Sequence, residues 1–362
     1  MNNLLTINYE GKPEYDIMLE FNFNSFTQKL TDLGMTNRKF MIITDSNVGK
    51  FYLEELKNIL SSLSEYVYHI VIPAGEENKN LDRVNECYEQ LIKESFDRND
   101  VLIALGGGVV GDLTGFVAAT YLRGVRFVQV PTSLLAMVDS SIGGKTGVDF
   151  KAYKNMVGAF HQPRLVYMNF SVLLSLPGRE YLSGMGEIIK HGLIRNKADY
   201  QWLKDNRDAI VNRELDILKE MVYRNCCVKK SVVEKDPKEL GDRALLNFGH
   251  TIGHSVEKLM SFTLLHGECV CIGMAAASYL SMTRGHITKV EYEDILDTIK
   301  QFYQPVRVSG LNRKEVYEVT KLDKKMDGDK IKFILIRKVG DAVIDPSVTK
   351  EEMVEAITTI LE

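Results

Sequence analysis

No stretch of the 362-residue sequence sustains the roughly 20 apolar residues that cross a bilayer, and its opening, MNNLLTINYEGKPEYD, has no basic head followed by an apolar core. Neither a membrane span nor an export signal is expected, so the chain reads as soluble and cytoplasmic. Cysteine is scarce. There are five (Cys87, Cys226, Cys227, Cys269 and Cys271), an odd number with one adjacent pair and no C-x-x-C spacing. That pattern excludes a disulfide framework and a zinc ribbon, and it fits a reducing compartment. A basic surplus is missing too: 45 Lys and Arg face 49 Asp and Glu, a net charge of −4. Nothing global draws the chain to nucleic acid or to an anionic membrane. Any anionic ligand must be caught by a local cluster. No repeat or low-complexity segment appears.

What is present is ordinary for a soluble enzyme, 45% apolar and 26% charged residues. The length exceeds what one core usually serves, so two domains are expected. From Lys39 to about Asn169, short apolar runs (KFMIITD, VYHIVIP, DVLIALGGG, VRFVQVPTS, RLVYMNF) read as buried strands, with helical patterns over 47–60 and 80–95 between the earlier ones. This alternation predicts a parallel sheet covered on both faces. Beyond SVLLSLPGRE, helical patterns dominate (178–192, 214–234, 249–260, 266–284, 289–302, 349–361) and only KIKFILI reads as a clear strand. The expected division is an α/β domain over 1–170 and a mainly helical domain over 171–362. The polar stretch EKDPKELGDR, with Pro237 and Gly241, reads as a mobile loop.

In DVLIALGGGVVGDLTGF, Gly106, Gly108 and Gly111 satisfy G-x-G-x-x-G between a strand and a helix. Glycine there lets the backbone approach a pyrophosphate, and the first helical N–H groups face its charge. The acid that normally follows about 20 residues on is absent, that neighbourhood reading VQVPTSLLAM. Asp45, at the end of an earlier strand in ITDSN, is the acid available for an adenosine ribose.

Cations recur beside motif-like stretches: Lys145 in IGGKTG, Lys154 with Asn155 in YKNMVG, Arg123 in YLRG, Lys190 in EIIKHG, Lys229 in VKKSVV and Arg243 in GDRALLNFGH. Taken singly they are surface charges. Converging, they would suit an anionic substrate, lysine as a point charge for phosphate and arginine as a fork for carboxylate.

Three of the seven histidines fall within 17 residues: His250 and His254 in LLNFGHTIGH, and His266 in LLHGE. Packing, acid/base catalysis and metal ligation all fit imidazoles so placed. H-E-x-x-H is absent. Spacing alone would pair His250 with His254 and add a remote third ligand such as His266. Glu187 in GMGEIIKHG, one helical turn from Lys190, is an available carboxylate.

The ordered set PAGEENK, GGGVVGDLTGFVAATYLRG, VPTSLLAMVDSSIGGKTGVD, KNMVGAFHQP, SLPGREYLSGMGEIIKHGLI, LLNFGHTIGHSVE, HGECVCIGM and DKKMDG resembles the 3-dehydroquinate synthase family of sugar-phosphate cyclases, over about residues 40–340. DSSIGGKTGV followed by LNFGHT-x-GH is specific to it, whereas the glycine loop is shared with glycerol-type dehydrogenases. GMGEIIKHG replaces the commoner A-E-V-I-K version and KDPKELGDR varies the acidic stretch before the arginine. Neither change removes a functional group.

The resemblance implies an NAD-binding α/β domain, a helical metal-binding domain and a site in the cleft between them. It implies Glu187, His250 and His266 as ligands of zinc or cobalt, which moves His254 to the substrate side. Positions matching NAD contacts are Asp45, Asn47, Glu76, Lys79, Gly107, Gly108, Val109 and Asp112, then Thr132, Ser133, Ser175, Leu176 and Glu180, with Lys145 and Lys154 adjoining. Positions matching substrate contacts are Arg123, Asp139, Lys145, Lys154, Asn155, Lys190, Lys229, Arg243, Asn247, His254 and a lysine of DKK, taken as Lys325. The implied substrate is an anionic sugar phosphate and the implied assembly a homodimer. A cyclase acting on glucose 6-phosphate and an NADH-releasing polyol dehydrogenase are the rival readings. The arginine of GDRALLNFGH and the intact IGGKTG speak against the first.

Overall fold

A computed structural model describes residues 3–151, 153–239, 241–261, 263–321, 326–327 and 330–362. The chain forms two compact units, Met1–Leu176 and Pro177–Glu362. Among the described residues, no helix is long and apolar enough to cross a membrane.

The first unit opens with a hairpin, β1 (Leu4–Tyr9) and β2 (Lys12–Glu20), then α1 (Phe26–Asp32), β3 (Phe40–Asp45), α2 (Gly49–Leu60), β4 (Val67–Ile72), α3 (Leu81–Lys93), β5 (Val101–Gly106), α4 (Gly108–Thr120) and β6 (Arg126–Pro131). A second hairpin, β7 (Lys145–Phe150) with β8 (Tyr153–Phe160), precedes β9 (Leu165–Asn169). The sheet order is β1-β2-β9-β6-β5-β3-β4, parallel throughout except for β1. Alternation along each strand builds two cores. Met41, Ile43, Leu102, Ala104 and Phe127 meet Val84, Cys87 and Leu91 of α3 and Val110, Leu113 and Val117 of α4. The intervening Phe40, Ile42, Val101, Ile103, Val128 and Val130 meet Phe26 and Leu30 of α1 and Leu53, Leu56 and Leu60 of α2.

Some details of the first unit depart from expectation. VYHIVIP is a strand, but only Ile72 of β4 is buried, because β4 pairs on one side alone, with β3, and forms the sheet edge. The two hairpins were not foreseen from pattern. One face each of β1 and β2 is buried while β8 is half-buried or exposed throughout, so β1 and β8 carry no strong apolar run.

The second unit is helical: α5 (Gly178–Arg195), α6 (Lys197–Asp205), α7 (Arg207–Val211), α8 (Leu215–Lys235), α9 (His250–Leu259), α10 (His266–Thr283), α11 (Lys289–Gln301) and α12 (Arg313–Thr320). Small antiparallel pairs follow, β10 (Met326–Asp327) with β11 (Lys330–Ile331) and β12 (Phe333–Lys338) with β13 (Asp341–Asp345), and α13 (Lys350–Thr359) closes the order. Ile252 and Val256 of α9, Ile272, Ala276 and Leu280 of α10, Phe333 and Leu335 of β12, and Met353 and Ile357 of α13 share one core.

Arg284, capping the carboxyl end of α10, fastens α13 to this core. Its Nε and Nη2 donate to both oxygens of Glu352 at 2.8 and 2.6 Å, and Nη1 donates to Asp345 at 2.8 Å. The Arg284 guanidinium and the Thr349 backbone N–H hold the Glu352 carboxyl down at about 2. A depressed folded pKa stabilises the fold above the unfolded value, and that contribution is lost as pH falls through about 2. Arg284→Gln should therefore lower stability at neutral pH by on the order of 1–3 kcal/mol. In urea melts across acid pH, the gap to the parent should narrow from about pH 4.5 downward. A gap constant over that range would contradict the assignment.

Candidate active site

In the first unit, β3 leads through α2 outward to β4, while β5 leads through α4 the other way to β6. The chain reverses direction between β3 and β5. Parallel α/β sheets take ligands at the carboxyl ends of strands where this reversal occurs, and there lie both Asp45, ending β3, and the Gly106–Gly108 turn, ending β5.

The turn depends on missing Cβ atoms. One on Gly106 would stand 2.6 Å from the Val110 side chain, and one on Gly111 would stand 2.9 Å from Gln129 Oε1 of β6, so α4 starts hard against its strands. Gly107, the N-cap of α4, offers no side chain to its first turn, which leaves those N–H groups for an anion. Thr132 N donates to Gly106 O at 2.9 Å and Ser133 Oγ accepts from Ala136 N at 3.2 Å, placing the end of β6 beside the turn. Asp45 Oδ1 accepts from the N–H groups of Asn47 and Val48 at 2.8 and 3.0 Å, so this acid also shapes the entry to α2. Ser175 Oγ lies 2.5 Å from Tyr52 OH, which brings the 175–176 segment to α2.

Several expected residues form one network. Lys79 Nζ, buried, donates to Asp112 Oδ2 and to Asn155 Oδ1, each at 2.6 Å, and Lys154 Nζ lies 3.5 Å from Glu76 Oε1. Burial works against the Lys79 charge, but the carboxylates of Asp112 and Glu76 outweigh it and raise its pKa. A lysine can only donate, so Asn155 must turn its oxygen to Lys79 and present its NH₂ group elsewhere. Asn155 takes a left-handed φ of +51°, held by its N–H donating to Asp149 Oδ1 at 2.8 Å. Burial raises the pKa of Asp112 against the pull of Lys79, and Asp139 is close enough to add to that rise. Lys145 opens β7, exposed. Arg123 is not brought to this network. It follows the carboxyl end of α4, and the 13-residue helix separates it from the glycine turn by roughly 20 Å.

In the second unit, three helices bring Glu187 (α5), His250 (α9) and His266 (α10) together. Glu187 is fully buried. Its Oε1 lies 3.6 Å from His250 Nε2 and 3.7 Å from His266 Nε2, while Oε2 accepts from Lys190 Nζ, also buried. One donor atom from each of the three lies within 4.8 Å of the others. A tetrahedral ion with bonds of about 2.0–2.1 Å keeps its ligands about 3.4 Å apart, so this oxygen and two nitrogens fit a zinc-like cation. His250 Nδ1 lies 3.2 Å from Phe248 O, a contact that favours the proton on Nδ1 and the lone pair on Nε2. Burial opposes a proton on His266, yet the carboxylates of Glu187 and Glu257, each 3.7 Å from a ring nitrogen, raise its pKa to about 10. A cation must displace that proton to bind.

His254 stands beside the group, its ring centroid 5.1 Å from His250 and 5.9 Å from His266. His254, Glu257 and His266 form a second set with donor atoms within the same span. Lys229 (α8) and Arg243 are buried. Arg243 Nη1 donates to Pro237 O at 2.8 Å, and Asn247 Nδ2 donates to Glu239 Oε1 at 3.2 Å. Asp236 Oδ2 accepts from Gly241 N and Arg243 N at 2.7 and 3.0 Å, which ties Asp236 to residues 241–243. Glu180 opens α5, where burial raises its pKa. Lys325 lies outside the described residues.

Sequence reasoning missed how the helices come close enough. Each ligand has a glycine neighbour: Gly186, Gly249 and Gly267. A Cβ on Gly186 would stand 2.6 Å from Gly267 O; one on Gly267 would overlap the Ser183 carbonyl of α5; one on Gly273 would overlap the Gly249 carbonyl. Gly249 also enters α9 at φ +80°. The signal stood in the quoted motifs, GMGE, FGH and HGE. Also missed were Glu257 and the buried His191, whose Nδ1 lies 2.6 Å from Asn225 Oδ1.

Gly267→Ala should push α5 from α10, costing at least about 1–3 kcal/mol and lowering retained divalent metal. Gly178→Ala, where a Cβ meets nothing within 4 Å, is the control. Urea melts and elemental analysis of both variants read the two effects. Equal behaviour of the pair would refute the role given to the glycines.

Two family models match consecutive segments of the chain. The family model described as 3-dehydroquinate synthase N-terminal matches residues 69–183, and the one described as 3-dehydroquinate synthase C-terminal matches 184–326. A relative from Acetivibrio thermocellus named 3-dehydroquinate synthase is 43% identical, covering 99% of this chain and 99% of its own. Among solved structures, a 2-epi-5-epi-valiolone synthase from Streptomyces hygroscopicus with NAD⁺ and Zn²⁺ bound superposes with a TM-score of 0.89 at 27% identity, covering 98% of this chain and 99% of that one. A 2-deoxy-scyllo-inosose synthase complexed with carbaglucose-6-phosphate, NAD⁺ and Co²⁺ gives a TM-score of 0.86 at 22% identity, covering 99% and 100%, a likeness of fold alone. With both family models matching in order and a relative so similar along its whole length, the chain belongs to the 3-dehydroquinate synthase family.

Proposed function

We propose that the chain converts 3-deoxy-D-arabino-heptulosonate 7-phosphate into 3-dehydroquinate and inorganic phosphate, acting in the shikimate pathway as a carbon–oxygen lyase. The observation that carries this reading is the Glu187–His250–His266 cluster, of metal-binding dimensions, in a chain so similar along its length to a named 3-dehydroquinate synthase. NAD⁺ and a divalent cation, when bound, supply hydride acceptance and Lewis acidity at the C5 alcohol. Zinc and cobalt both suit two imidazoles and a carboxylate.

The chain's own residues then bind, orient and move protons. Arg243, buried and always charged, is assigned to the substrate carboxylate as a fork. Lys154 and Asn155 are assigned to the phosphate, with Lys145; Lys79 fixes the Asn155 amide so that its NH₂ group is the end on offer. A phosphate so held can use its own oxygens to take the C6 proton before it leaves. His254, beside both imidazole ligands, is assigned to proton movement at the sugar hydroxyls. Lys190 neutralises the Glu187 oxygen turned away from the imidazoles. Lys229, Asn247, Asp139, Arg123 and Lys325 remain substrate-side assignments by motif position, as do the glycine turn and Asp45 for NAD. A homodimer and a cytoplasmic location follow from the family resemblance.

The direct test is phosphate release from the heptulosonate phosphate, with and without added NAD⁺ and divalent metal. Phosphate should appear without net NADH, since the reduced cofactor is reoxidised in each cycle. Accumulating NADH would instead indicate a polyol dehydrogenase. Arg243→Ala should weaken substrate by about 2–5 kcal/mol and leave NAD⁺ affinity near that of the parent, measured by steady-state kinetics and calorimetry. An equal loss of both would contradict the carboxylate assignment.

A further inference from the structure

His250, His254 and Glu257 occupy positions i, i+4 and i+7 of α9, one face of the helix. The first matches a ligand position and the second a substrate position, but motif reasoning leaves Glu257 with no role. The residue is 4% exposed, and burying a carboxylate is costly unless it is paired. One group that faces it is His266: Glu257 Oε1 lies 3.7 Å from His266 Nδ1, while the other ring nitrogen, Nε2, lies 3.7 Å from Glu187 Oε1.

The two ligand imidazoles therefore share a design. Each turns Nε2 toward Glu187 Oε1 and Nδ1 toward an oxygen acceptor, the Phe248 carbonyl for His250 and the Glu257 carboxylate for His266. A carbonyl can only accept, so it keeps a proton on His250 Nδ1. A buried carboxylate does the same at His266 and adds charge, making Nε2 the more basic donor.

We propose that Glu257 is a positioning residue of the metal centre: it selects the His266 tautomer whose Nε2 lone pair meets the cation, and it orients that ring. The inference rests on the metal-dependent reading above and adds to it a residue outside the ligand set. Removing such an outer partner typically weakens metal affinity about 10–100-fold.

The test compares Glu257→Gln and Glu257→Ala with the parent full-length chain, each stripped of metal and titrated with Zn²⁺ against a chelating indicator of known affinity. Gln keeps the shape and an oxygen acceptor but not the charge. Zn²⁺ affinity should fall about 10-fold for Gln and up to about 100-fold for Ala, with urea melts of the metal-free Gln variant close to the parent. The visible spectrum of the Co²⁺-loaded Gln variant should shift, because the donor strength of one ligand changes, a readout that a purely structural role would leave unmoved. Affinity within about twofold of the parent, or an unaltered Co²⁺ spectrum, would overturn the proposal. So would a second Zn²⁺ equivalent in the parent that disappears in the Gln variant, since Glu257 would then be a ligand in its own right, with His254. A parent that binds neither Zn²⁺ nor Co²⁺ would instead remove the metal-dependent reading on which the proposal stands.

Discussion

The close approach of three helix backbones is the constraint from which the metal-binding geometry follows. A carboxylate and two imidazoles can share one cation only if their donor atoms come within about 3.4 Å of each other, and all three side chains are short. With ordinary residues at the crossing points, interaxial distances of 8–10 Å are usual. Glycines beside Glu187, His250 and His266 remove the Cβ atoms that would hold α5, α9 and α10 apart, so carbonyls of one helix rest on the α-carbons of the next. Leucine at those positions would bury more apolar area and abolish the cluster. The ties around the glycines are polar and directional. Ser183 Oγ accepts from Gly267 N at 3.2 Å, and Arg179 grips both oxygens of Glu268 at 2.8 and 2.7 Å, fixing the starts of α5 and α10 to each other.

Much of this was legible in the sequence, for identifiable reasons. The central strands β3, β5, β6 and β9 are buried on both faces, so their apolar runs are unbroken and the parallel sheet could be read from them. In the second unit α5, α8, α9, α10, α11 and α13 carry long periodic patterns and fell where expected, whereas the short α6, α7 and α12 were not read from the sequence. The β1–β2 and β7–β8 hairpins escaped notice because their side chains are largely half-buried or exposed, leaving no contrast for a pattern to show. At the candidate site, motif identity pointed to residues that periodicity could not rank. Four-residue spacing puts His250 and His254 on one helical face, but the oxygen that organises the cluster comes from another helix. Sequence distance says nothing about which imidazole will face it. In the structure Glu187 Oε1 faces His250 and His266, while His254 stands beside them. Glu257 went unread for the opposite reason, since a glutamate seven residues after a histidine is commonplace until its burial is known.

The charge distribution gives the same argument a wider reach. The chain carries four more acidic than basic residues, yet Lys79, Lys190, Lys229 and Arg243 are all nearly inaccessible. Buried cations are expensive and are not retained for stability alone, since apolar groups of similar volume often serve the fold as well or better. Two of the four have carboxylate partners whose geometry explains their retention. Lys79 is matched by Asp112 and gives a second hydrogen bond to Asn155 Oδ1, which leaves the NH₂ group of that amide for another partner. Lys190 offsets one oxygen of Glu187, so that the other can face two imidazoles without the carboxylate carrying its whole charge into an apolar setting. In both cases the lysine acts on a neighbour that is itself a candidate binding group. These four cations are thus held inside the fold, where low dielectric strengthens their field, while the chain as a whole carries a small acidic surplus.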